Sequence, residues 1–203
     1  MTLADETREI MGEDAGAEGR GDTPVFGFWL YLMSDCLLFA SLFATYAVLH
    51  NNVFGGPGAR ELFDLPYVLA ETLLLLTSSF TVGLGVLAAR RGNRGTTVAL
   101  FGLTLLLGLA FLGLELHEFG ALIMAGSGPD RSGFLSAYFT LVGTHGFHVA
   151  VGVLWMLVML VHVMRAGLTE RNVERLTMLS LFWHFLDLIW VFIFTIVYLL
   201  PFL

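Results

Sequence analysis

The sequence predicts an all-α integral membrane protein, a bundle of five transmembrane helices, and three observations carry that prediction. The chain of 203 residues is 57% hydrophobic and only 13% charged, with a mean hydropathy of +0.80. That is more apolar surface than one soluble core can hide. Five apolar stretches, 26–49, 66–89, 98–124, 134–164 and 176–200, each meet the requirement of about 20 residues for crossing a bilayer. The connections between them are short.

Before the first stretch, Asp5, Glu6, Glu9, Glu13, Asp14, Glu18 and Asp22 crowd residues 1–25 and carry most of the formal charge of −7. This segment has neither a basic n-region nor an apolar h-region, so it reads as a disordered, solvated acidic tail ahead of a membrane domain spanning 26–203. The first span holds the single cysteine, Cys36, which rules out an internal disulfide and a cysteine metal cage. Pro66 opens the second span, where its missing N–H costs little, and Pro57 and Pro129 fall in turns. Within the spans Gly83, Gly85, Gly102, Gly108, Gly113, Gly143, Gly146 and Gly152 let neighbouring backbones approach closely. None belongs to a phosphate-binding loop, and nothing in the chain points to nucleic acid.

Arg90, Arg91 and Arg94 fill the second connection, and Arg165, Arg171 and Arg175 surround the fourth, whereas the first and third hold only Arg60 and Arg131. Basic connections stay cytoplasmic, which places the N-terminus in the cytoplasm and the C-terminus in the periplasm.

Ionisable side chains inside these spans are expensive and face protein or water rather than lipid. The third span carries GLELHEFGAL, with Glu115 and Glu118 one turn apart on one face. The fourth carries GTHGFHVAVG, where His145 and His148 share a face. The fifth carries FWHFLDLIW, with Trp183, His184, Asp187 and Trp190. Helical rise puts His145 about 17 Å from the outer end of its span, Asp187 about 17 Å from the inner end and Glu115 about 14 Å from the outer end, so a shared polar cluster is expected. Three readings of it stand side by side: metal or haem ligation by His145, His148 and His184; a proton path through the carboxyl groups; and interhelical hydrogen bonds that fix register, each contributing roughly 1 kcal/mol. Asp35 and Glu71 are further acids within spans and are candidates for a subunit or lipid contact; without a partner each would take up a proton.

The motifs FWHFLDLIW, GTHGFHV and GLELHEF together resemble the third subunit of the haem–copper terminal oxidases, over about 180 residues from Phe26 to the C-terminus. Within that family GFWLYLMSDC, the GGP at Gly55 and GPDRSGFLSA look most like the branch found in bo-type ubiquinol oxidases, as does the five-span length. The resemblance implies a non-catalytic accessory subunit of a proton-pumping, oxygen-reducing complex in the bacterial inner membrane. Haem b, haem o and copper are then held by the partner catalytic subunit I, and none by this chain, whose own ligand is phospholipid. It implies that Glu115 is the buried, protonated, carbodiimide-reactive glutamate of the family, and that His145, His148, His184 and Asp187 are structural or lipid-cleft residues. The alternatives are the equivalent subunit of a cytochrome c oxidase and, from a different class, a free-standing small transporter or proton channel. Against the last stands the absence of an inverted repeat or broken-helix pair.

Overall fold

The computed structural model describes the backbone from residue 3 and side chains from residue 25 onward. The expectation for the tail at 1–25 falls outside those side chains. Among the described residues there is no strand. The helices are α1 (Leu3–Leu49), a short α2 (Ala59–Leu62), α3 (Leu65–Arg90), α4 (Arg94–Met124), α5 (Gly133–Ala166) and α6 (Glu170–Ile193). A π-helical turn, Phe194–Leu199, and a final 3-10 turn, Leu200–Phe202, continue α6. Five segments are long and apolar enough to cross a membrane: Val25–Leu49, Leu65–Arg90, Arg94–Met124, Gly133–Ala166 and Glu170–Phe202.

These helices fall on the hydropathy stretches, but α4 begins at Arg94 instead of 98 and the last helix at Glu170 instead of 176. The reason is local. Thr169 caps the helix, its hydroxyl accepting from the Asn172 backbone N–H, and the polar turn that follows is helical although it is not apolar. Asp187 therefore lies about 9 Å further from the helix start than the hydropathy boundary implied. Asn93 caps α4 through Thr96 N–H and Ser132 caps α5 through Leu135 N–H in the same way. Pro66 occupies the first turn of α3.

The chain divides into two compact units at Leu38/Phe39. In the first, the exposed apolar side chains Phe26, Met33 and Leu37 alternate along α1 with the buried Leu32 and Asp35, and Ser34 hydrogen-bonds back to the Tyr31 carbonyl.

The second unit, 39–203, contains the end of α1 and all the other helices. Three-residue links at 91–93 and 167–169 turn α3 back on α4 and α5 back on α6, with Gly92 and Gly167 at φ +72° and +77°, a backbone region that favours glycine. Asn172 Nδ2 donates to the Gly167 carbonyl at 2.9 Å and secures the second link. Arg94 donates to the carbonyl of Met164, so the two arginine-rich connections lie at the same end of the helices. Arg60 donates to the carbonyl of Pro201, which joins the first connection to the chain's C-terminal turn at the other end.

Three of the glycines explain how the core closes. A Cβ at Gly108 would lie 2.8 Å from Trp183 Cη2, one at Gly152 would lie 3.1 Å from Trp183 Cζ3 and Phe182 Cε1, and one at Gly85 would lie 2.8 Å from Phe101 Cε2. Trp183 is thus gripped between α4 and α5, with no room for a Cβ at Gly108 and a tight approach at Gly152. Gly102 and Gly113 differ from the expectation for small residues, since nothing approaches within 4 Å of a Cβ there.

Candidate functional site: a buried carboxyl cluster beside a seam of indoles

The α3 surface that meets α6 is lined with hydroxyls one to two turns apart, and each receives a side chain from α6. Trp190 Nε1 donates to Thr72 Oγ1 at 3.0 Å, and Trp183 Nε1 donates to Ser78 Oγ at 2.9 Å. Ser79 Oγ and His184 Nδ1 are 2.6 Å apart. Asp187, one turn beyond His184, also lies beside Ser79 and His184, although its Oδ1 is buried without a hydrogen-bond partner. Ser79 is therefore the residue through which His184 and Asp187 are tied to α3. Both indoles are sealed, with Trp183 1% and Trp190 0% exposed; His184 is exposed and Asp187 half-buried.

Trp190 is also the wall of a second compartment. Its ring lies 4.7 Å from Phe111, edge to face, and 5.2 Å from the His145 imidazole. His145 is 0% exposed, and neither of its ring nitrogens has a hydrogen-bond partner; Phe111 and Phe39 close around it at 6.1 and 6.4 Å. His148, half-buried, instead satisfies Nδ1 on the Thr144 carbonyl at 2.8 Å and faces Phe39 at 5.3 Å. The shared face of His145 and His148 is thus an aromatic contact surface. His184 belongs to the other seam, at Ser79, so the three histidines do not converge on one point.

The convergence that does occur is among carboxyl groups. One oxygen from each of Glu71, Glu115 and Glu118 lies within 4.8 Å of those of the other two. Glu71 is 0% and Glu115 2% exposed, and all four of their carboxyl oxygens lack a hydrogen-bond partner. Glu118 is half-buried and accepts from the Tyr198 hydroxyl at 3.2 Å, which stands 3.0 Å from the Tyr138 hydroxyl. Tyr67 closes the group on the α3 side, donating to the Leu114 carbonyl at 3.0 Å, with His117 Nδ1 at 3.4 Å. Tyr198 reaches Glu118 from the π-helical turn, and the aromatic stack of Phe63 against Tyr138 and Tyr198, at 4.9 and 4.7 Å, holds both phenols in place.

Of the two acids without an evident partner in the sequence, Glu71 turns inward to Glu115 and Glu118, while Asp35 pairs with Tyr31 one turn earlier on its own helix. Glu71 had a readable signal. In helices that run antiparallel across a short link, depth is counted from that link: Glu71 lies 19 residues before Arg90 at the end of α3 and Glu115 lies 21 after Arg94 at the start of α4, depths of about 29 and 32 Å. The hydroxyl partners Thr72, Ser78 and Ser79, and the phenols of Tyr67, Tyr138 and Tyr198, carry no comparable mark, because such residues are common in any helix.

A cavity of about 520 Å³ opens at the end of the molecule that carries the first connection, walled by Tyr46, Phe134, Ile196 and Leu200 and bordered by His50 and Arg60.

Comparison with known proteins fixes the lineage of this arrangement. The profile described as cytochrome c oxidase subunit III matches residues 10–201. A protein of Pseudomonas aeruginosa named cytochrome bo(3) ubiquinol oxidase subunit 3 is 54% identical over 98% of this chain and 94% of its own length. The cytochrome c oxidase subunit 3 of Bacillus sp. strain PS3 is 46% identical over 89% of this chain and 87% of its own. Quinol oxidase subunit 3 of Bacillus subtilis is 43% identical over 89% and 88%. With five apolar membrane helices and a match along nearly its whole length, the chain belongs to the subunit III family of the haem–copper terminal oxidases.

Proposed function

We propose that this chain is the accessory third subunit of a bo-type ubiquinol oxidase, a proton-pumping complex that reduces oxygen to water, and that it contributes assembly stability and lipid binding rather than catalysis. The observation that carries the reading is the 54% identity to a bo(3) subunit 3 along almost the full length of both chains. In this role it associates with the catalytic subunit I, which holds haem b, haem o and copper, in the bacterial inner membrane.

The polar geometry of this chain suits a scaffold. The indole and hydroxyl seam between α3 and α6 fixes their register, and interhelical hydrogen bonds in membranes contribute about 0.6–2 kcal/mol each. The two arginine-rich connections at one end, tied by Arg94 to Met164, support an orientation with that end cytoplasmic and the C-terminus periplasmic. The cavity bordered by Arg60 and His50 and walled by aromatic and aliphatic side chains suits a phospholipid, with its phosphate toward the cationic border and its glycerol and upper chains against Tyr46 and Phe134.

A second reading, the third subunit of a cytochrome c oxidase, is favoured by the 46% identity to the protein of that name from Bacillus sp. strain PS3. Purification of the chain from native membranes in mild detergent, with an absorption spectrum and identification of the co-purifying subunits, decides between them. Haem b and o bands with quinol-driven oxygen uptake support the ubiquinol oxidase. A copper-binding cysteine pair on a soluble domain of the second subunit supports cytochrome c as donor. A colourless chain without partners returns the weight to a free-standing transporter.

A further inference from the structure

The carboxyl cluster poses a charge problem that the chain does not solve for itself. Three carboxyl groups converge within 4.8 Å, and no Lys or Arg lies inside α3 between Leu65 and Ala89 or inside α4 between Gly95 and Met124. The nearby hydroxyl donors are already committed: Tyr67 to the Leu114 carbonyl, and Tyr138 and Tyr198 to one another and to Glu118. The two deepest members, Glu71 and Glu115, are both more than nine-tenths buried; all four of their carboxyl oxygens lack a hydrogen-bond partner, and one from each lies in the convergence with Glu118. Buried polar atoms in native structures almost always have a partner, and ionisable side chains at membrane depth mark sites of function.

We propose that Glu71, Glu115 and Glu118 bind one hard divalent cation of the size of Ca²⁺. The donor set is oxygen only, which suits such an ion, and carboxylate oxygens coordinate it at about 2.3–2.6 Å, so that donors on opposite sides of it stand about 5 Å apart. The spacing of 4.8 Å fits within that limit. Two positive charges against three carboxylates leave one negative charge, and a single proton retained by one of the three makes the occupied site neutral, as the apolar surroundings demand. Tyr198, donating to Glu118, fixes the carboxylate that leads out to the surface. The ion enters past Glu118, Tyr67 and His117, the half-buried and exposed members at this end of α3 and α4.

The test uses the full-length chain purified with its bound partners. Tb³⁺ serves as the luminescent probe for a Ca²⁺ site, excited through the neighbouring phenols, and equilibrium dialysis with radioactive Ca²⁺ gives the stoichiometry. The expected result is Tb³⁺ emission that Ca²⁺ displaces and that falls in Tyr198→Phe. One Ca²⁺ per chain should be lost, or bound at least tenfold more weakly, in Glu71→Gln, and retained in Glu61→Gln, which alters an exposed acid in the short α2. Equal Ca²⁺ binding in wild type and Glu71→Gln overturns the proposal and leaves the three carboxyls as holders of protons only. Should Glu71→Gln fail to assemble, the wild-type measurement still decides: absence of Ca²⁺-displaceable emission, or emission unchanged in Tyr198→Phe, overturns it equally.

Discussion

Two buried polar regions lie on either side of the Trp190 indole, and they are built on opposite principles. On the α3 side every donor has an acceptor: Trp190 meets Thr72, Trp183 meets Ser78, and His184 meets Ser79. On the other side His145 of α5, Glu115 of α4 and Glu71, an α3 residue turned toward Glu115, are also buried, yet none of their side-chain nitrogens or oxygens has a hydrogen-bond partner. The contrast separates a seam that holds helices in register from a chamber that keeps its polar atoms available.

Substitutions can break or sharpen that contrast. The largest effect is expected from Gly108→Leu, which drives a side chain into the Trp183 ring where even a Cβ would stand 2.8 Å away. Overpacking of this kind costs about 1–3 kcal/mol, and here it also displaces the Trp183 bond to Ser78, so the chain should be lost from detergent-solubilised membranes or melt well below wild type. Trp190→Phe keeps a ring against His145 and Phe111 but removes the donor to Thr72. A loss of about 1–2 kcal/mol should appear as a lower melting temperature with assembly preserved. Asp187→Leu takes a carboxyl from beside Ser79 and His184 and should cost about 1 kcal/mol; a variant as heat-resistant as wild type would show that His184 relies on Ser79 alone. Glu115→Gln is expected to be smallest. It preserves shape, and the carboxyl has no hydrogen-bond partner within the chain to lose, so in Ca²⁺-free buffer subunit content and melting temperature should stay within about 0.5 kcal/mol of wild type. Matching losses for Trp190→Phe and Glu115→Gln would erase the distinction between seam and chamber.

How much of this was legible in advance depended on the kind of information each feature needs. The spans could be read from hydropathy because membrane crossing is a property of each segment by itself. The start of α6 could not, since Glu170, Arg171 and Glu174 obey capping rather than hydropathy. Glu115 with Glu118, and His145 with His148, were readable as shared faces because their spacing lies on a single helix. That Glu71 completes the first pair, and that His145 and His148 lead to aromatic rings instead of a common ligand, depends on how helices are rotated against one another. Hydropathy patterns and helical periodicity specify that only weakly when apolar residues surround a helix on every side.

The π-helical turn at Phe194–Leu199 gives the aim of Tyr198 an unusual basis. A π turn accommodates one residue more than an α turn without disturbing what comes before it. Deleting one residue from 194–197 would restore regular winding and leave Tyr198 near its present azimuth, whereas inserting one more residue there would swing the following side chains by about 100° and carry the Tyr198 hydroxyl off Glu118 while every residue that touches the carboxyls remained present. Loop insertions elsewhere in the chain would be absorbed locally, but here the count of residues is itself part of the site. In this last turn a one-residue insertion would act like a point mutation of the phenol.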